Sequence, residues 1–218
     1  MTGPKKRTAI LISGRGSNMK SLVEAARRPD YLAEIVAVIS NRPDAPGLAW
    51  AKEQGIPALG LDHKLYSDRA HFESQLQGVL TASRVELVCL AGFMRLMTAP
   101  FVESWRDRML NIHPSLLPSF KGLHTHARAL EAGVKFAGCT VHLVRPEMDE
   151  GPILGQAVVP VLPDDTEDRL AARVLAAEHR LYPRILELFA AGLIRINGNK
   201  TTWISDVNPD WASFSPNV

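Results

Sequence analysis

The stretch TAILISGRGSNMKSLVEAARR, Thr8 to Arg28, decides the fold. Thr8 to Ser13 is a short apolar run of the kind that forms a buried strand. From Asn18 to Arg28 the apolar residues Met19, Leu22, Val23 and Ala26 recur at helical spacing. Gly14-Arg15-Gly16-Ser17-Asn18 joins the two. The alternation then repeats: strand at Glu34–Ser40, helix at Ala45–Gln54, strand at Ile56–Leu61, helix at Ser67–Ala82, and a strongly apolar strand at Val85–Ala91. A β-α-β-α-β-α-β rhythm implies a parallel sheet covered on both faces by helices. Right-handed crossovers put the strand C-termini on one edge, where such sheets bind ligands.

Beyond residue 100 the pattern changes. Met109–Ile112 reads as a further strand, and His124–Ala132 as a helix ended by Gly133. Cys139–Val144 and Ile153–Val161 read as strands joined by a turn of about eight residues, a spacing that suits an antiparallel pair. Asp164-Asp165-Thr166 offers helix caps, and a long helix runs from about Glu167 towards Ala190. Pro183 is expected to kink or split that helix near Tyr182. Leu193–Ile196 and Thr202–Ile204 read as a hairpin across Asn197-Gly198. The last fourteen residues lack a pattern and are expected to be loosely held. The predicted class is therefore α/β: a Rossmann-like, doubly wound, mostly parallel sheet extended by antiparallel strands, in one domain spanning residues 1–218.

Bulk properties exclude several functions. The chain has 218 residues, 46% hydrophobic and 22% charged, an ordinary globular balance. Its net charge of +2 makes no electrostatic case for nucleic acid. The run Lys5-Lys6-Arg7 reads as a solvated N-terminal tail. No apolar run approaches the ~20 residues of a membrane helix, and the N-terminus lacks a signal-peptide core. The two cysteines, Cys89 and Cys139, sit in apolar strand-like runs. Buried free thiols suit a reducing cytoplasm.

Three stretches carry chemistry. In LNIHPSLLP, Leu110 to Pro118, Asn111 and His113 are two apart, so on a strand they point to the same side. An amide donor steadies a developing oxyanion, and an imidazole moves protons near neutral pH. A polar cap at a strand end is the ordinary reading of such a pair. In HLVRPEMDEGPI, His142 to Ile153, Asp149 lies on a turn closed by Gly151 and Pro152. Acidic turn residues usually just bond backbone N–H groups. In the glycine loop, backbone approach and a helix N-terminus favour an anion. The third glycine of a dinucleotide fingerprint is absent, since position 19 is Met, and no Gly-Lys-Ser/Thr follows. A tight turn that binds nothing is the alternative. His124 and His126 flank Thr125 with no third ligand spaced for zinc. They are expected to cap the following helix or line the site.

The strings NIHPSLLP and MDEGPI together resemble the formyltransferases that use 10-formyltetrahydrofolate. SGRGSN, Ser13 to Asn18, and GLHTH, Gly122 to His126, narrow the resemblance to the phosphoribosylglycinamide formyltransferases of purine synthesis, from about Thr8 to about Trp203. It implies the formyltransferase fold, with a phosphate-binding lobe over residues 1–100, a folate and catalytic lobe over 101–205, and a tail at 206–218. It implies that Asn111, His113 and Asp149 are catalytic, with Asp149 holding His113. It assigns the substrate's ribose phosphate to Gly16, Ser17 and Asn18, and makes Glu178 a contact to the amine-bearing substrate, although Glu178-His179 otherwise reads as a solvated helix face. It assigns the folate to Met94, Arg95, Leu96 and Met97, partly through backbone groups, with Arg69 and Asn111 nearby. Arg69 by itself reads as a surface residue, Phe93 as core, and His142 as a strand residue without an assigned role.

The implied co-substrate is 10-formyltetrahydrofolate, with no metal. The implied partners are small molecules, with no nucleic acid and no membrane, for a monomer or homodimer. Formyltetrahydrofolate hydrolases share the glycine loop and the Asn-x-His and Asp elements but carry an added N-terminal domain, for which a first strand near residue 8 leaves no room. Methionyl-tRNA formyltransferases share SLLP, but normally add a C-terminal RNA-binding domain. A non-catalytic nucleotide-binding module is the alternative from another class.

Overall fold

The opening stretch folds as strand β1 (Lys6–Ile12), a glycine turn, and helix α1 (Ser17–Ala26). The computed structural model describes residues 3–204. The expected loose tail after Ile204 lies outside them. The chain continues through β2 (Ala33–Ser40), α2 (Pro46–Glu53), β3 (Ala58–Gly60), a 3-10 turn at His63–Leu65, α3 (Arg69–Ala82) and β4 (Leu87–Leu90). Then come α4 (Ala99–Ser104), β5 (Met109–His113), α5 (Thr125–Glu131), β6 (Phe136–Leu143), β7 (Ile153–Pro160), α6 (Glu167–Ala190) and the hairpin β8 (Ile194–Asn197) and β9 (Lys200–Trp203).

Seven strands form one sheet in the order β3-β2-β1-β4-β5-β6-β7. The first five are parallel, and β6 and β7 join antiparallel, as the spacing predicts. The strand order reverses between β1 and β4, the point where open α/β sheets leave a crevice. Alternation along β1 divides the core: Ile10 and Ile12 face one apolar cluster, Ala9 and Leu11 the other. The first cluster is covered by α1, α2, α5 and α6, the second by α3 and α4. Burying each leucine or isoleucine here is worth about 1.5–3 kcal/mol. Tyr182 pins α6 to the sheet: its hydroxyl is shared between the carbonyls of Leu90 at 3.2 Å and Leu110 at 3.1 Å.

The basic run at residues 5–7 is not a free tail. Lys6 and Arg7 begin β1, where Lys6 Nζ meets Glu86 Oε1 at 2.8 Å and the Arg7 guanidinium donates to Ser83 O at 3.0–3.1 Å. Ser83 ends α3, and a cation suits the negative end of a helix. Helix α4 escapes sequence reading because six residues are too few to establish a period. Pro183 does not split α6. Pro183 cannot donate to the His179 carbonyl. The turns on either side stay together because Leu170, Val174, Tyr182, Ile185 and Leu186 bury one continuous face. The hairpin turn is Gly198-Asn199, one residue later than expected, since Asn197 pairs with Lys200 and Gly198 takes the positive φ. Both cysteines are buried and free. No described helix is long and apolar enough to cross a membrane.

Candidate active site

At the end of β1 the backbone turns sharply. Gly16 caps α1 with φ 69°, a left-handed conformation that glycine adopts without strain. The Gly47 N–H holds the loop from the side, donating to Gly14 O at 3.1 Å. Ser17 and Asn18 then form the first turn of α1. The Asn18 amide nitrogen donates to Glu178 Oε2 at 2.6 Å, across 160 residues of sequence. Glu178 is therefore no solvated residue: it is only 6% exposed, on the face of α6 that packs on α1. Burial pushes its carboxyl pKa up, partly offset by the Asn18 hydrogen bond. Asn18 Oδ1 is buried without a partner. The N–H groups at this helix N-terminus, left open by the turn, suit an anion.

Strand β5 brings Asn111 and His113 to one face, as their spacing requires. The antiparallel register sets His142 opposite Asn111 and Thr140 opposite His113. Directly paired residues share a face, so His142 joins the group. Asp149 returns from the loop after β6 at φ 58°, a left-handed position that Asp tolerates. Its Oδ2 accepts the Gly122 N–H at 2.9 Å and lies 3.5 Å from His113 Nδ1. Its Oδ1 lies 3.8 Å from His142 Nε2. His113 Nε2 faces Phe120 O at 3.1 Å. Both ring nitrogens of His113 thus face acceptors. All three predicted residues, Asn111, His113 and Asp149, come together.

His142 has no role legible in sequence alone. Its Nδ1 lies 3.0 Å from Leu143 O, so Nδ1 carries the proton and Nε2 accepts from Asn111 Nδ2 at 3.1 Å. One amide hydrogen of Asn111 is held and the other remains for a ligand. Burial lowers the pKa of His142, against the raising effects of Leu143 O and Asp149. A folded pKa below the ordinary 6.5 means the unfolded chain takes the proton first. Stability is therefore complete above about 6.5 and falls as pH drops towards the folded value. His142→Gln, which can still accept from Asn111, is expected to flatten that decline in urea unfolding between about pH 7.5 and 5.5. An unaltered slope would refute the assignment. Some slope should remain, because burial also lowers His126 and His179.

The predicted folate segment, Met94 to Met97, lies on the loop after β4, on the other side of the crevice from the glycine turn. Met94 is 66% and Leu96 59% exposed. Uncovered apolar side chains at the ligand-binding edge suit a flat ring. The Arg95 guanidinium rests on the Phe72 ring, 5.2 Å from its centre. Arg69 is exposed at the first position of α3. Phe93 packs partly buried against the second core cluster. His124 occupies the cap position of α5, but its side chain makes no capping bond. His126 lines a cavity of about 90 Å³ with Pro114, Ser115 and Phe120. Among the described residues no group of three or more His, Cys, Asp or Glu is placed to hold a metal.

Known proteins resemble this chain as a whole. The family described as Formyl transferase matches residues 6–186. A phosphoribosylglycinamide formyltransferase of Escherichia coli (strain K12) is 40% identical over 195 residues, covering 89% of this chain and 92% of its own length. A trifunctional purine biosynthetic protein adenosine-3 of Bos taurus is 48% identical over 205 residues; the match covers 93% of this chain, which spans only 20% of that relative's length. The crystal structure of glycinamide ribonucleotide transformylase 1 from Symbiobacterium toebii superposes with a TM-score of 0.90 at 46% identity, covering 94% of this chain and 96% of that one.

Proposed function

The chain belongs to the formyl transferase family, and from that premise we propose that it transfers the formyl group of 10-formyltetrahydrofolate to the amine of N1-(5-phospho-D-ribosyl)glycinamide, a step of purine (IMP) synthesis. The products are the formylglycinamide ribonucleotide and tetrahydrofolate. The observation that carries this reading is the meeting of Asn111, His113 and Asp149 on one face of the sheet edge that also bears the glycine turn.

The ribonucleotide's phosphate sits on the N–H groups of Gly16, Ser17 and Asn18. Glu178, joined to Asn18, receives the polar body of the same molecule. The folate ring lies against Met94 to Met97, with Arg69 nearby. When bound, the folate supplies an activated formyl carbon. The substrate amine attacks that carbon, and its carbonyl oxygen gains negative charge. The free amide hydrogen of Asn111 and an Nε2–H of His113 stabilise the oxyanion, which takes the place of Phe120 O as acceptor. Asp149 holds His113 and helps pass the proton lost by the amine to the folate nitrogen as the carbon–nitrogen bond breaks. Alignment of the two substrates supplies much of the rate. Attack by an amine on an activated formyl group needs neither a metal nor a covalent enzyme intermediate, so neither is part of the proposal. The proposed setting is the cytoplasm, which suits the buried free thiols Cys89 and Cys139. The partners are small molecules, with neither nucleic acid nor membrane, for a monomer or homodimer.

The test is an absorbance assay of folate deformylation with and without the ribonucleotide. Turnover only in its presence is expected. Turnover without it would make the chain a hydrolase, and none in either case would overturn the proposal.

A further inference from the structure

Ser13 begins the glycine turn, yet its side chain points to the other loop of the crevice. Its N–H donates to Gly92 O at 3.1 Å, extending the β1–β4 ladder past the end of both strands. Its hydroxyl accepts the Met94 N–H at 2.8 Å and donates to Asn41 Oδ1 at 2.5 Å. One residue thus grips both ends of the turn Gly92-Phe93-Met94, in which Gly92 takes φ 76°. Ser13 and Asn41 are buried, 7% and 4% exposed, while Met94 is open to solvent. Asn41 is itself held, since its carbonyl faces His63 Nδ1 at 2.9 Å.

We propose that the Ser13 hydroxyl is a positioning residue for the folate, fixing the backbone of the Met94–Met97 loop from the root of the glycine turn. This rests on the formyl-transfer reading above. Met94 opens a segment whose backbone and apolar side chains meet the ring, and a turn whose Met94 end is kept by one buried hydroxyl transmits its loss directly to that segment. The glycine turn does not depend on the same hydroxyl. It is held by the Gly47–Gly14 bond and by α1 itself. The effect of removing the hydroxyl should therefore fall on one substrate.

The experiment compares the full-length wild type with Ser13→Ala and Ser13→Cys. It reads kcat, KM for 10-formyltetrahydrofolate, KM for the ribonucleotide, Tm, and the Kd of tetrahydrofolate by calorimetry. Ser13→Ala leaves the Met94 N–H and Asn41 Oδ1 without partners, and folate KM and Kd should rise about tenfold. Ribonucleotide KM should stay within about twofold. The thiol of Ser13→Cys, a weak donor and acceptor, should give a smaller rise of about threefold. Unchanged folate KM and Kd overturn the inference. So does an equal rise in both KM values, with Tm falling in parallel. If Ser13→Ala does not fold, the same split in Ser13→Cys decides. A wild type that transfers no formyl group overturns the proposed function and this inference with it. An active wild type with unaffected variants overturns this inference alone.

Discussion

Asp149→Asn is expected to lower kcat by about 10²–10⁴-fold, the range for removing a general acid–base partner or its orienting carboxylate. Both KM values should move by less than about threefold, because the loss concerns the transition state rather than ground-state binding. Asparagine has nearly the shape of aspartate and can still accept the Gly122 N–H that Asp149 accepts at 2.9 Å. The loop should therefore stay in place. What goes is the negative charge 3.5 Å from His113 Nδ1 and 3.8 Å from His142 Nε2. The proton on His113 loses its counter-charge just as the oxyanion needs it. Steady-state kinetics and a pH–rate profile check the result. A kcat within tenfold of wild type, or an unchanged profile, would sink the pairing of Asp149 with His113. His113→Ala should be of similar size, and the double variant little worse than either, since groups that act as a unit are not additive.

Gly151→Ala should be nearly as damaging for a different reason. Gly151 closes the Asp149 loop and is buried against the end of β6. A methyl group there would overlap the Leu143 carbonyl oxygen and come within 3.3 Å of Arg145 Cγ. Its φ is not in the left-handed region, so the requirement is space, not conformation. The loop can only move outwards. It is otherwise tied at its start by the Arg145–Asp107 ion pair and, just before Gly151, by the exposed Lys121–Glu150 pair at 2.8 Å. We expect a loss of about 3 kcal/mol, which for a domain of this size lowers Tm by about 6–12 °C. A shift of about 1 Å in Asp149 is enough to reduce kcat by about 10²-fold. Thermal unfolding and kinetics on the same preparation test both. A variant with wild-type Tm and kcat would show that the loop has room that this packing denies it.

Local patterns carried most of the fold. Apolar runs bounded by glycine or polar residues identify β1 to β7. Helical spacing at Met19, Leu22 and Val23 identifies α1. Thr166, which accepts the Arg169 N–H, caps α6 where the Asp-Asp-Thr signal put it. A residue's preference and its neighbours three or four positions away are properties of the chain itself, and burial of one face adds to them. The same locality placed Asn111 and His113 on one side of β5. It failed where the partner is remote. The basic run at residues 5–7 has its counter-charge at Glu86 and its carbonyl at Ser83, so its sequence resembles a solvated tail. Six residues of α4 are too few for a period, and Pro183 is held in a helix by packing that no local rule describes. Asp149 and His113 are 36 positions apart, and Asn18 and Glu178 are 160. Only family resemblance linked the first pair beforehand, and nothing local exposed the Ser13–Met94 clamp or the place of His142. Their meeting depends on the register of β5 against β6 and on which loops the sheet turns towards one edge. Cross-strand register is chosen by the burial of whole faces at once, so the elements of the site were determined by sequence and their convergence by tertiary packing.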